Sequence, residues 1–351
     1  MRAPLFYKEK PIFGLDIGQS TVKATQLRGG KQGAELVGYG YAEFDPSAIE
    51  DGVITKPEKI AKVLRPLVNE IVVGKLTTDR VHTSIPTSRI FSRIIELSGI
   101  EDTDLEDAVK LEAQQYVPLN EDEMYLDFTI LEHTDDDKTR VYMVAAPRNI
   151  IDSYIELFNE VGLEIYGTEP SLLSIVRAVN NAYQNEKAKI IIDFGSNSSD
   201  LAIYDQSLQL TSTVATGGNQ ITQTIAETLD VDKDKANEIK SRYGISKSKW
   251  QEELASALSP TLSSLASEIQ KLLRYHHERH DDGADIEQVV IVGGGANLPG
   301  LDDFLAHLTG LDVDTCNPWD NIGVKPLQPP HKLETTLYTT AVGLALKELD
   351  Q

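Results

Sequence analysis

Two matching segments, far apart in the chain, constrain its fold more than anything else in the sequence. Phe13-Gly14-Leu15-Asp16-Ile17-Gly18-Gln19-Ser20-Thr21-Val22-Lys23 is an apolar run that delivers an acid, a Gly-x-Ser tip and a returning β-branched run. Lys189-Ile190-Ile191-Ile192-Asp193-Phe194-Gly195-Ser196-Asn197-Ser198-Ser199-Asp200-Leu201-Ala202-Ile203-Tyr204 follows the same plan. Each reads as strand, Asp-x-Gly, polar tip, strand. At such a tip Gly18 tolerates positive φ and lets a ligand approach the backbone. Ser20 and Thr21 offer hydroxyls and N–H groups to phosphate oxygens, and Lys23 is a point charge of the kind that holds phosphate. Asp16 suits a hydrated Mg²⁺, an ion that favours one or two carboxylates plus phosphates. One Asp-x-Gly turn alone is equally well a plain hairpin; the second copy weighs against that reading. A third glycine turn, Val292-Gly293-Gly294-Gly295-Ala296-Asn297, runs from a buried strand into a helix start.

A chain of 351 residues is long enough for two or more domains. Its net charge of −22 argues against a general nucleic-acid binder and against adhesion to anionic lipid. Cys316 is the single cysteine, so no intramolecular disulfide is possible and a reducing compartment fits. No apolar run reaches the ~18–20 residues of a membrane span, and no signal-peptide core is evident at the N-terminus. A cytoplasmic protein, peripheral to a membrane only through a partner, is the expectation.

Taken in order, residues 1–10 read as a loose leader and 13–44 as three strands. A helix is predicted over 57–73, with Pro66 kinking it or marking its inner end, followed by a buried strand at 81–85. Residues 84–166 carry a β-α-β-β-α-β pattern of their own, with helices at 104–117 and 150–161 and a polar hairpin loop at 134–138. A helix at 171–183 joins this half to the second hairpin. Residues 230–286 read as helical, with stops at Gly244 and Pro260, and a final helix spans 335–349. The expected domains are a first lobe (11–83, 167–189 and 331–351), an insert (84–166), a second lobe (190–229 and 287–330) and a helical outer subdomain (230–286).

The two Asp-x-Gly hairpins followed by the glycine turn resemble the phosphate-1, phosphate-2 and adenosine motifs of the actin-like ATPases. The insert between Val81-His82-Thr83-Ser84-Ile85-Pro86 and Gly167-Thr168-Glu169-Pro170 narrows the resemblance to the FtsA and PilM branch, which carries a 1C-type subdomain there. Leu111-Glu112-Ala113-Gln114-Gln115-Tyr116-Val117-Pro118, Val144-Ala145-Ala146-Pro147-Arg148 and Gly217-Gly218-Asn219-Gln220-Ile221-Thr222 are similar to the PilM family of type IV pilus assembly proteins. The resemblance covers about residues 11–349. The final helix leaves no room for the membrane-targeting tail of FtsA, which favours the PilM side.

That resemblance implies an α/β, two-lobed actin-like (ribonuclease H-like) fold with an inserted α+β subdomain, binding ATP or ADP with Mg²⁺. It implies that Asp16 and Asp193 hold the metal through water. Gly18, Gln19, Ser20, Thr21 and Lys23 would cradle phosphate, with Gly195, Ser196, Asn197 and Ser198 closing over it. Gly217, Gly218 and Asn219 would let backbone pass close to the phosphates. Gly293, Gly294, Gly295 and Asn297 would meet the adenosine, with Glu238 and Lys240 reaching toward ribose or base. The helix at 171–183 lacks the glutamine with which actin orients its attacking water, so slow hydrolysis is expected, with Asp193 or Glu169 as candidate catalytic residues. The implied partner is the N-terminal cytoplasmic segment of a membrane-anchored PilN-type protein, with pilus motor ATPases as indirect partners. It would dock in a groove walled by the helix at 104–117 and the strand at 81–85. An FtsA-like cell-division filament and an actin-fold sugar kinase are the alternatives. Polymer formation would mark the first and a sugar-binding carboxylate set the second.

Other motifs carry less. His276, His277 and His280 miss the His-Glu-x-x-His spacing of zinc proteases and read as a solvated helix end. The acidic stretch 135–137 reads as a hairpin tip rather than a metal site. Cys316 reads as a packing thiol and Trp319 as lobe packing.

Overall fold

The computed structural model describes residues 10–30, 33–70, 72–134, 138–185, 187–279, 285–332 and 334–350. The first strands are β1 (Phe13–Ile17), β2 (Thr21–Gly30) and β3 (Gly33–Glu43). A small hairpin, β4 (Ile49–Glu50) and β5 (Val53–Ile54), leads to α1 (Pro57–Asn69), then β6 (Val73–Gly74) and β7 (Arg80–Ile85). Helix α1 contains Pro66 and ends at Asn69, short of the expected 73. Its Ile60, Leu64 and Leu67 are fully buried, and that stripe is complete by Leu67.

The insert comprises β8 (Phe91–Ser98), α2 (Leu105–Tyr116), β9 (Met124–Thr134) and β10 (Lys138–Pro147). Its sheet has the order β8-β10-β9, and α2 covers it through Leu105, Val109 and Ala113, packed on Ile95, Val141 and Met143. Next come α3 (Arg148–Val161), β11 (Glu164–Pro170) and α4 (Ser171–Tyr183). The first lobe's sheet then has the order β11-β7-β1-β2-β3-β6.

This corrects the expected insert of 84–166. Helix α3 buries Ile150, Tyr154, Leu157 and Phe158 in the same core as Leu15, Ile60 and Leu64, and β11 pairs in parallel with β7. Both belong to the first lobe, leaving an insert of roughly 91–147. The 3–4 spacing of α3 states that one face is buried but not which core receives it.

The second lobe holds β12 (Lys189–Phe194), β13 (Ser199–Asp205), β14 (Ser207–Val214), α5 (Gly218–Leu229), α6 (Lys233–Tyr243) and α7 (Gln251–Arg279). Then follow β15 (Gln288–Val292), α8 (Leu301–Thr309), β16 (Asp312–Thr315) and α9 (Thr339–Leu346). Its sheet order is β14-β13-β12-β15-β16. Pro260 lies inside α7 rather than stopping it. A proline there forfeits a helical hydrogen bond, about 3 kcal/mol. Leu254, Leu258, Leu262, Leu265, Ile269 and Leu272, all 0–2% exposed, continue the buried stripe across it and outweigh that loss. His276 extends the same stripe and is buried, so only His277 of the pair is solvated. His280 and residues 135–137 lie outside the described residues.

Residues 318–328, expected in the second lobe, cross to the first. Trp319 and Ile322 pack with Leu27, Tyr39 and Tyr338, and Gly323 exchanges backbone hydrogen bonds with Ala34 and Leu36 at 2.8 and 2.9 Å. Cys316 is buried, consistent with a packing thiol. Beneath the site, α9 lies directly on β1, where any side chain at Gly14 would strike the backbone of Ala341 and Ala345. Helix α9 also meets α4 backbone to backbone at Gly343 and Ser174. Two helices locked this closely give the site a rigid floor. Among the described residues no helix is long and apolar enough to cross a membrane.

Candidate nucleotide-binding cleft

The two hairpins fold to one template. In the first, Asp16 stands opposite Lys23 and Gly18 N–H donates to Thr21 O at 2.9 Å. In the second, Asp193 stands opposite Asp200 and Gly195 N–H donates to Ser198 O at 3.0 Å. Their tips meet across the lobes, Asn197 Nδ2 donating to Gln19 Oε1 at 3.1 Å and Asn219 Nδ2 to Asn197 Oδ1 at 2.8 Å. Behind the tips lies a cleft of about 460 Å³.

Charge in the cleft is unbalanced. Lys23 Nζ sits 3.0 Å from Asp16 Oδ2, with both side chains largely buried. Among the described residues neither Asp193 nor Asp200 forms an ion pair. Burial, the nearby Asp200 and the nearby Asp16 together push Asp193 up to about 7 against the pull of Lys23. Burial raises Asp200 to about 6, although Thr213 Oγ1 donates to it at 2.5 Å and the Ser88 N–H resists the shift. Three carboxylates facing Lys23, with Arg89 of the wall already paired to Asp51 at 3.0 Å, favour a cation. Among the described residues no three acidic, His or Cys side chains form a direct ligand set. The donors therefore fit an ion that keeps most of its water and takes one or two carboxylates plus phosphate, as Mg²⁺ does. Room is kept for it by Gly293 at φ 82°, where a Cβ would fall on Asp193 Oδ1.

Of the residues named from the sequence, Asp16, Gly18, Gln19, Ser20, Thr21, Lys23, Asp193, Gly195, Ser196, Asn197, Ser198, Gly293 and Gly294 line this cleft. The others form a layer behind it. Gly217 packs against the backbone of Ser196, while Gly218 N–H donates to Gly195 O at 3.0 Å and Asn219 N–H to Ser196 O at 2.8 Å. The N-terminus of α5 thus braces the second tip. Lys240 Nζ donates to Thr222 Oγ1 at 2.8 Å and to Gly218 O at 3.3 Å. Glu238 pairs with Lys235 at 2.6 Å on the surface and is not among the residues lining the cleft. Gly295 fits beneath the Phe194 ring, and Asn297 Nδ2 donates to Thr336 Oγ1 at 2.8 Å.

Glu169 is not on the cleft wall. It accepts from both Arg177 guanidinium nitrogens at 2.7 and 2.9 Å and lies 3.5 Å from His82 Nε2. Burial opposes its ionisation, but Arg177 and His82 overcome that and hold it down to about 2. Off the cleft wall and clamped to Arg177, Glu169 is not placed to orient a water in the cleft. The wall residues that the sequence reading missed include Ser84, Ser88, Tyr154, Asp200, Thr213 and Thr336. Asp200 had a legible signal: it follows Asp193 by the interval that separates Lys23 from Asp16.

The sequence pattern of a family described as type IV pilus assembly protein PilM matches residues 14–349. Cell division protein FtsA of Streptococcus pneumoniae serotype 2 (strain D39 / NCTC 7466) is 22% identical over 353 aligned positions, covering 89% of this chain and 76% of that protein. FtsA of Neisseria meningitidis serogroup B (strain ATCC BAA-335 / MC58) is 22% identical, covering 96% and 90%. Among solved structures, a PilM–PilN type IV pilus biogenesis complex superposes with TM-score 0.84 at 22% identity, over 97% of this chain and 99% of that one. MreB 5 of Spiroplasma citri bound to AMPPNP superposes with TM-score 0.56 at 13% identity, over 98% and 97%. The fold is that of the actin-like ATPases, and the family match spans nearly the whole chain: this protein belongs to the type IV pilus assembly protein PilM family.

Proposed function

We propose that the chain is a nucleotide-binding assembly protein of a type IV pilus machine, docking the N-terminal cytoplasmic segment of a PilN-type membrane protein on its inserted sheet. The observation that carries the nucleotide half is the shared register of the two hairpins, Asp16 opposite Lys23 and Asp193 opposite Asp200 across one cleft. ATP or ADP would lie with its phosphates between the tips. Lys23 and the tip N–H groups would hold them, while Asp16 and Asp193 would hold hydrated Mg²⁺. Gly293 and Gly294 would face the nucleoside, with Asn297 and Lys240 supporting from behind, whereas Glu238 is turned to the surface. The MreB structures solved with AMPPNP and with ADP support a nucleotide in this fold.

The docking half rests on the insert, which takes no part in the cleft floor and presents β9 as an unpaired sheet edge. Tyr125 and Ile130 are exposed along that edge, and Tyr125 Oη donates to Asp152 of α3 at 3.0 Å, beside exposed Ile155. An extended segment can add to such an edge while its side chains settle between strand and helix. The groove wall expected at residues 81–85 is not available: β7 is buried and paired to β1 and β11 on its two sides. Membrane association would come through the partner. The test is calorimetric titration of the chain with the PilN-type N-terminal peptide of its own organism, with and without ATP–Mg²⁺. Binding of both ligands supports the proposal, and failure to bind ATP–Mg²⁺ overturns its nucleotide half.

A further inference from the structure

Tyr154 reaches the cleft from α3, a helix the sequence pattern assigned to the insert. Its ring is fixed in the first lobe's core, edge-on to Phe158 with centroids 6.3 Å apart, and the residue is 2% exposed. The side chain forms part of the cleft wall that also contains Asp16. Its hydroxyl is buried and has no hydrogen-bond partner among the described residues. Burial, and then the Asp16 charge, both raise the phenol's affinity for its proton, so the hydroxyl stays a donor. Phenylalanine would fill the same space without stranding a polar atom. A buried donor of this kind calls for an acceptor that arrives later.

Asp16 supplies the other half of the argument. Its carboxylate accepts from Lys23 at 3.0 Å, although the site as read above needs both groups elsewhere. A phosphate would compete with Asp16 for the Lys23 ammonium. Once its ammonium swings to phosphate, Asp16 would lose the contact that fixes its rotamer. We propose that Tyr154 is a positioning residue for Asp16, donating its hydroxyl to the carboxylate when Lys23 turns to phosphate and keeping Asp16 aimed at the hydrated cation. The proposal rests on the nucleotide reading and deepens it: the Lys23–Asp16 pair and the nucleotide-bound arrangement would be two settings of one three-residue exchange.

The quantity to measure is the ratio of ATP affinity with Mg²⁺ to ATP affinity with a chelator, by calorimetry on the full chain. It should fall roughly tenfold in Tyr154→Phe, the effect of losing one hydrogen bond to a charged group. In an Asp16→Asn background, Tyr154→Phe should change the ratio by less than about twofold, because the acceptor's charge is gone. A merely structural role for the tyrosine would not move this ratio through Asp16. An unchanged ratio in Tyr154→Phe overturns the inference and leaves the nucleotide reading standing. An equal drop in both backgrounds also overturns it, since Tyr154 would then act elsewhere. Absence of ATP binding by the natural chain overturns the nucleotide reading and the inference together.

Discussion

Asp193 stands opposite Asp200 in the second hairpin, at the position where the first hairpin sets Lys23 against Asp16. The lobes therefore present three carboxylates to a single cleft whose two lining cations are Lys23, paired to Asp16, and Arg89, paired to exposed Asp51. Lys23 satisfies Asp16, while Asp193 faces Asp200 with only the more distant pull of Lys23 to offset it. Most of what the site is expected to do follows from this asymmetry.

Lys23→Ala should weaken ATP binding ten- to a hundredfold, since a charge-assisted contact is worth about 1.5–3 kcal/mol. It should also lower ligand-free stability, because Asp16 would remain buried without its partner. Calorimetric affinity and denaturant unfolding read the two effects separately. Unaltered ATP affinity would count against the phosphate assignment of the first tip.

The carboxylates set a pH dependence of definite sign. Both Asp193 and Asp200 have folded values, about 7 and about 6, above the 3.8 of an ordinary aspartate. The folded chain thus holds these protons more tightly than the unfolded chain does. Their contribution to stability is complete below about pH 4 and is lost as pH rises through about 6 and 7. Melting temperature recorded across that window should fall for the natural chain and fall less steeply for Asp193→Asn. Added Mg²⁺ should raise the melting temperature more at pH 8 than at pH 5, where protons already occupy the site.

Gly293 marks where the cleft permits no side chain. Its φ of 82° with ψ of 179° is a conformation essentially confined to glycine, making alanine unfavourable by about 1–3 kcal/mol. The added Cβ would also fall on Asp193 Oδ1. Gly293→Ala should therefore reduce both stability and ATP affinity. Full retention of both would mean that the 293–295 turn has more freedom than its packing against Phe194 suggests.

How much of this was legible in the sequence depends on range. The hairpins were plain, since their strands, tips and turn glycines are local and the pattern occurs twice. Helix α4 was bounded correctly by Pro170 and its own apolar stripe. What failed was assignment to a core. The buried face of α3 looks the same whether it meets the insert or the first lobe, and residues 318–328 gave no sign that they cross to Tyr39. Pro260 was read as a stop because its local penalty is visible and the tertiary burial that overrides it is not. Tyr154 had no local signal at all. Its proposed role depends on a fold that puts residues 154 and 16 on the wall of one cleft.

Hydrolysis should be slow, well below the roughly 1–100 s⁻¹ of kinases. Helix α4 contains no glutamine to orient a water, and Glu169 is held by Arg177. Phosphate release from purified chain and ATP–Mg²⁺ measures the rate. If turnover is instead rapid and Asp200→Asn abolishes it, Asp200 orients the water, a role that its raised pKa and position on the wall allow.

The docking surface calls for point variants rather than removal of the insert. Deleting residues 87–165 would take α3 with it, and deleting the sheet alone would uncover Leu172 and Ile175, which share a core with Tyr142 of β10. Tyr125 is the better probe. It is 40% exposed on the unpaired edge of β9, lies under Arg148 at 4.2 Å and bonds Asp152, so it joins the insert to α3 at the groove. An aromatic anchor at an interface commonly contributes about 2 kcal/mol or more when truncated. Tyr125→Ala combined with Ile130→Asp should weaken binding of a labelled PilN-type peptide at least about tenfold by fluorescence anisotropy. ATP affinity of the same variant serves as the control for folding. Undiminished peptide binding would place the partner on another face, and the exposed Leu111 and Tyr116 of α2 would then be the next residues to test.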